Sequence, residues 1–391
     1  MALRAVMPAL ANKAYFNYGG QGPLPTPALE AIRSSWQQIQ ELGPFTTTIW
    51  PYISSQTDRL RSLLAERCGV GINRLAFTEN VTSGCVLPLW GLPWHPDDEL
   101  LISDCEHPGV VAACQELSRR YGCSTAKLPV QALCRHTQAE SLAGEVLGEL
   151  DRVLTPRTRL VVLSHLLWNT GSVMPIEAVA AYLSAHPNQP WLLVDAAQSM
   201  GSLPVASAAA AADIYAFTGH KWCCGPEGLG GVVLSERLLH EARPTLIGWR
   251  SLSHEGEVGS GFHQDARRFE VATSCTPLLS GLVTSLELLD GVGSEIERLD
   301  QIRTHSCQLW QGLQELAGIQ PLLPQPPPAG LVSFQVNGEA PDAVVRRLAE
   351  AGVCLRSLDD PHCLRACTHV TTMSEEVERL LALLAPSRST S

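Results

Sequence analysis

The chain has 391 residues, 45% of them hydrophobic and 17% charged, with 28 basic residues against 39 acidic and a net charge of −11. That length exceeds one ordinary core and predicts two domains, while the composition describes a soluble globular enzyme rather than a disordered or fibrous chain. The acidic balance and the lack of any Lys/Arg run disfavour nucleic acid or an anionic membrane surface as a partner.

No apolar stretch approaches the roughly 20 residues of a membrane span, and Met1 to Pro8 is too short for a secretory h-region. Thirteen cysteines are scattered, apart from the adjacent Cys223 and Cys224, and no CxxC occurs. Reduced thiols and a cytoplasmic location are therefore expected. No metal site is expected, because neither Cys nor His recurs at ligand spacing.

From about residue 60 to 235, short apolar runs alternate with amphipathic stretches. The runs are Glu99–Ser103, Leu160–Ser164, Trp191–Asp195, Ile214–Thr218 and Gly230–Leu234. Each is apolar nearly throughout and ends at polar or glycine positions, as strands covered on both faces do. Between the first two, Leu142, Val146, Leu147 and Leu150 fall on one helical stripe. Such alternation predicts an α/β fold with a mostly parallel sheet and helices on both sides. After about residue 245 the pattern changes. A long helix is expected from Pro277 into the 290s, with Leu282, Leu286 and Leu289 on one side. The proline-rich Pro321 to Pro328 excludes regular helix or central strand. A strand at Gly330–Val336 follows, then a helix over Pro341–Ala351 stopped by Gly352. Thr372 and Glu375 have capping-box spacing at the start of a last helix. This part reads as a smaller α+β unit.

Four features carry chemistry. Thr218-Gly219-His220-Lys221 ends a predicted buried strand, where a lysine is costly unless it is paired, neutralised or used. Desolvation lowers an amine's pKa, as Schiff-base chemistry requires. Asp195, with Gln198 three residues on, ends another buried strand, and ligands gather outside the carboxyl ends of strands in open α/β sheets. A carboxylate there can hold a pyridine nitrogen protonated. Thr78 to Gly84, with Thr82 and Ser83, offers hydroxyl and amide donors to a phosphate at a helix start. His107, in Asp104 to Gly109, can lie on an aromatic cofactor or move a proton. Taken singly, these read as a solvent-reaching lysine, a strand-end cap, an ordinary N-cap and a structural histidine. Together they favour a cofactor site.

In spacing and order the chain resembles the class V aminotransferase family of pyridoxal-phosphate (PLP) enzymes, which includes the cysteine desulfurases. The likeness runs from Tyr15 to Val377 and is nearest to the cystine C–S lyases. It is carried by Asn17 to Gly22, Asp104 to Gly109, Ser164 to Gly171, Thr218 to Trp222, Gly248 to Ser251 and Leu364 to Cys367. The resemblance implies a fold-type I enzyme with a seven-stranded, mostly parallel sheet in a large PLP-binding domain, 15–250. A small domain, 1–14 and 251–391, would hold the inter-domain helix and the carboxylate-binding arginine. It makes Lys221 the Schiff-base lysine, Asp195 the partner of the pyridine nitrogen and His107 the stacked imidazole. Gln198 falls near the phenolic oxygen, and Thr82, Ser83, Thr218 and His220 on the phosphate. Asn169 falls near cofactor or substrate. Arg365 matches the arginine for the substrate α-carboxylate, with Arg356, Trp249, Arg250, Gly20 and Gln21 as further substrate-pocket candidates. The segment around Thr273 resembles one that reaches a partner's phosphate, which implies a homodimer with shared sites.

A desulfurase needs a thiolate on a mobile segment, yet only eight residues separate Arg356 from Arg365 and Cys363 lies two before the latter. Cys363 therefore reads as a packed cysteine, and β-elimination is the expected course. L-cystine would give a persulfide, pyruvate and ammonia, with sulfur passing to an acceptor protein for iron–sulfur clusters. L-cysteine and related thioethers stay open as substrates. The competing readings are a desulfurase or selenocysteine lyase releasing alanine, and a non-catalytic binding protein on this fold. A nicotinamide dehydrogenase lacks its GxGxxG.

Overall fold

The computed structural model describes residues 3–254 and 259–385. Its central sheet has seven strands: β1 (Leu75–Thr78), β2 (Glu99–Ser103), β3 (Ser124–Leu128), β4 (Thr158–Val162), β5 (Trp191–Asp195), β6 (Ile214–Thr218) and β7 (Gly230–Leu234), in the order β1-β7-β6-β5-β4-β2-β3. All neighbours run parallel except at β7, which is antiparallel to both β1 and β6. Apart from the edge strand β3, the strands lack hydrophobic/polar alternation because both faces are covered. Along β5, Leu192 and Val194 enter one buried cluster while Trp191 and Leu193 enter the other. Tyr215 and Phe217 of β6 divide from Ile214 and Ala216 in the same way.

Four of the five expected runs are strands over the expected residues, and the fifth lies two residues earlier, at β4. The stripe of Leu142, Val146 and Leu150 is the buried face of a helix at Ala139–Val153. The helix beginning at Thr276 ends at Asp290 rather than running on. Gly291 and Gly293 interrupt it, and Ser294 caps a second helix, Glu295–Glu315, its hydroxyl accepting from the Glu297 amide at 3.3 Å.

A second sheet of four antiparallel strands, in the order β10-β11-β9-β8, packs on its own apolar cluster. Its members are β8 (Ile319–Pro321), β9 (Leu331–Val336), β10 (Arg356–Leu358) and β11 (Cys363–Cys367). The helix after β9 spans Pro341–Glu350, and the proline-rich segment leaves the sheet from its edge strand. The expected Thr372/Glu375 capping box is not formed. The last helix starts at Ser374, the Glu376 carboxylate accepts from the Met373 amide, and the Thr372 hydroxyl accepts from the His369 amide instead. Of the residues assigned to the smaller unit, 1–2, 255–258 and 386–391 lie outside the described ones.

Candidate active site

The carboxyl ends of β2, β4, β5 and β6 open on one edge of the sheet, and most of the candidate residues gather there. Lys221 follows β6 by three residues. Its main chain is wedged between two glycines. A Cβ on Gly22 would lie 2.2 Å from the Lys221 carbonyl oxygen, and one on Gly201 would lie 2.8 Å from the Trp222 carbonyl carbon. Gly22 also donates its amide to the His220 carbonyl at 2.8 Å. Enclosure by protein lowers the Lys221 amine to about 8, against the pull of nearby Asp195 and with help from Arg365 and Arg356.

Asp195 is buried at the end of β5, where Oδ1 accepts from the Ala197 amide at 2.9 Å. Burial raises its carboxyl, while the Ala197 bond, Lys221 and His107 act in the other direction. Gln198 donates from Nε2 to the Gly19 carbonyl at 3.0 Å and accepts at Oε1 from Trp222 Nε1 at 2.9 Å. This leaves one Nε2 hydrogen for anything bound nearby.

His107 caps the helix Pro108–Tyr121, Nδ1 accepting from the Gly109 amide at 3.2 Å, and meets Trp168 edge-on at 5.6 Å. Partial burial holds this imidazole below its usual value. Asn80 caps the helix Val81–Trp90 through its side chain, so the Thr82 and Ser83 hydroxyls stand in the first turn. Thr218 Oγ1 and His220 Nδ1 are 2.7 Å apart. Gly20 turns beside Asn17, and Gln21 donates to Glu227.

Arg365 lies in β11, opposite Arg356 of β10, and is only 1% exposed. Its Nη1 donates to the Trp168 carbonyl at 3.0 Å and the guanidinium lies against the Cys367 thiol, whereas Nε and Nη2 are buried without an oxygen or nitrogen partner. Asn169, also buried, makes a long contact at 3.4 Å from Nδ2 to the Asp360 carbonyl and lies against the Cys105 thiol, and its Oδ1 is unpartnered. Such orphaned groups cost about 1–3 kcal/mol each and mark a place made for a ligand. Arg356 is exposed at the edge of the same charged cluster.

Trp249 and Arg250 lie elsewhere. They line a cavity of about 380 Å³ with Trp50, Arg61, His263 and Glu270, and Thr273 is exposed beside a second cavity. Two residues that the sequence did not single out belong to the Lys221 region. Glu106 is a buried carboxylate, and His369 bonds to the Trp222 carbonyl at 3.1 Å.

The description "Aminotransferase class-V" matches residues 22–380. A structure of the cystine C–S lyase C-DES with its product cysteine persulfide is 44% identical, covering 97% of this chain and all of that one, at TM-score 0.92. A lysine mutant of C-DES with glycine linked covalently to its PLP cofactor is 43% identical over 97% of this chain and 98% of that one, at TM-score 0.91. A probable cysteine desulfurase of Methanothermobacter thermautotrophicus is 24% identical, covering 97% of this chain and 95% of its own. The sheet, its one antiparallel member and these likenesses make the fold that of the fold-type I PLP enzymes. The chain belongs to the class-V aminotransferase family.

Proposed function

We propose that the protein is a PLP-dependent carbon–sulfur lyase that takes L-cystine and water to cysteine persulfide, pyruvate and ammonia. The residues of the site fit the cofactor by their own chemistry. An amine of lowered pKa stands near a buried carboxylate, and donors without an oxygen or nitrogen partner line the opposite wall. In this reading Lys221 carries PLP, Asp195 holds the proton of its ring nitrogen, and His107 and Gln198 contact the ring. Thr82, Ser83, Thr218 and His220 hold the phosphate. When bound, PLP supplies an electron sink for the charge left at the substrate α-carbon.

Arg365 offers Nε and Nη2 as a planar fork to the substrate α-carboxylate, which orients the α-hydrogen towards the lysine. Asn169 contributes a buried acceptor beside it. An amine near 8 is partly neutral at physiological pH, so Lys221 can take the α-proton and return one. The Cβ–S bond then breaks. A persulfide is a better leaving group than a thiolate, which favours a disulfide substrate over cysteine.

The observation that carries the lyase reading over a desulfurase is the seat of Cys363. It is buried in β11, paired with Leu358 across a turn of four residues, 359–362. Burial pushes its thiol up to about 12, which disfavours the thiolate that an attack on sulfur needs. We also infer a cytoplasmic homodimer. Leu246 and Ile247, 55% and 52% exposed, precede Trp249 and Arg250, whose cavity takes no lining residue from the Lys221 loop. A second copy would cover that segment and bring it with Thr273 to the neighbouring site. The persulfide would serve an acceptor protein in iron–sulfur assembly.

The test incubates purified protein with cystine and measures pyruvate and cyanide-reactive persulfide. Pyruvate is expected from the wild type and from Cys363→Ser, and none from Lys221→Ala. Alanine in place of pyruvate, lost in Cys363→Ser, would falsify the lyase reading in favour of a desulfurase.

A further inference from the structure

Two carbonyls flank Lys221, and each is held by a residue distant in the chain. Gly22 donates to the one before it. His369 donates from Nε2 to the one after it, that of Trp222, at 3.1 Å. The His369 ring is completely buried beyond β11 and stacks on Tyr18 with centroids 4.3 Å apart and planes 11° from parallel.

The direction of this hydrogen bonding follows from what each group can do. A carbonyl only accepts, so Nε2 carries the hydrogen. Burial lowers the imidazole to about 4, so at neutral pH Nδ1 is an acceptor. Its partner is Thr371 Oγ1 at 3.1 Å, and that hydroxyl, having given its proton, accepts from Tyr18 OH at 2.5 Å. One orientation therefore runs from Tyr18 through Thr371 and His369 to the Trp222 carbonyl. The Trp222 side chain is held too, by Gln198, which in turn bonds to Gly19.

We propose that His369 is a positioning residue: through its Nε2 hydrogen it holds the Trp222 carbonyl, one residue beyond Lys221, and so fixes where the Lys221 amine stands relative to Asp195. This rests on the reading that Lys221 carries PLP and moves the α-proton. A histidine that only fills space would be replaced by any ring of similar size. A histidine that positions the lysine needs its donor.

Three variants separate these roles. His369→Phe keeps the ring and its stacking on Tyr18 but has no donor. His369→Gln keeps an N–H at comparable reach. Thr371→Val leaves the imidazole in place and removes the hydroxyl that donates to Nδ1 and anchors the ring. On PLP-loaded protein, each is followed by thermal unfolding, the pH midpoint of the long-wavelength absorption of bound PLP, and kcat and KM for pyruvate release. With the lysine displaced, His369→Phe and Thr371→Val are expected to shift the midpoint and lower kcat by about tenfold to a hundredfold at nearly constant KM. His369→Gln is expected to recover most of both. If His369→Phe does not fold, Thr371→Val decides. Folded variants with the wild-type midpoint and kcat overturn the inference alone. A wild-type protein that takes up no PLP overturns the cofactor reading beneath it.

Discussion

The two walls of the site are finished to different degrees. On the Lys221 side the polar groups are used within the protein. Gly22 and His369 hold the flanking carbonyls, and Gln198 is bonded at both ends. On the Arg365 side they are not. Two guanidinium nitrogens, Asn169 Oδ1 and Trp168 Nε1 are buried without an oxygen or nitrogen partner. Folding alone does not favour the second arrangement, since each orphan costs about 1–3 kcal/mol. The lysine wall thus holds one geometry through its own bonds, while the arginine wall keeps buried donors that its own chain does not use.

Arg365→Met gives the largest expected effect and tests the unfinished wall from both sides. Truncating one partner of a buried charged pair costs about 2–5 kcal/mol, so kcat/KM should fall by roughly thirtyfold to several thousandfold. Thermal stability without substrate should hold or rise, because the orphaned donors are gone. A marked loss of stability would mean that the fold itself relies on this guanidinium, and the contrast would collapse. Gly22→Ala tests the finished wall. Its Cβ has backbone at 2.2 Å and Cys224 Sγ at 2.8 Å, so the Lys221 loop must move. A destabilisation of about 1–3 kcal/mol is expected in urea unfolding, with weakened PLP retention. An alanine accommodated at no cost would show the loop to be looser than its hydrogen bonds imply.

What was legible in the sequence follows the same division. Asp195 and Lys221 stand at the ends of strands buried on both faces, whose unbroken apolar runs mark their own limits. Ser124–Leu128 escaped notice because it is an edge strand, half-exposed and carrying Lys127. The break between the two long helices did have a signal, in Gly291, Gly293 and the Ser294/Glu297 spacing. His369 and Glu106 had none. Their partners, Trp222 and Ser164, lie 147 and 58 residues away, and only the fold brings them together. The role of Arg365 came from family resemblance, since nothing local distinguishes an arginine in a short strand.

The pH dependence of the finished wall can be tested at Glu106. Its carboxylate accepts from Ser103 Oγ at 2.5 Å and from the amide and hydroxyl of Ser164, both at 2.7 Å. The next residue, His165, donates its amide to the Asp195 carbonyl at 3.0 Å, so Glu106 ties the His107 turn to the strand that carries Asp195. Burial raises this carboxyl to about 7; the serine bonds oppose the rise and nearby Asp195 adds to it. Between its unfolded value near 4.5 and 7, the folded protein holds a proton that the unfolded chain has released. Folding stability should therefore fall as pH rises through that window, by at most about 1.4 kcal/mol per pH unit from this group. Glu106→Gln removes the titration while keeping the shape. The difference in urea unfolding free energy between wild type and Glu106→Gln, measured from pH 5 to 7, should change with pH in that direction. A difference independent of pH would mean that Glu106 stays ionised in its three hydrogen bonds, making that wall still more completely satisfied than the wall around Arg365.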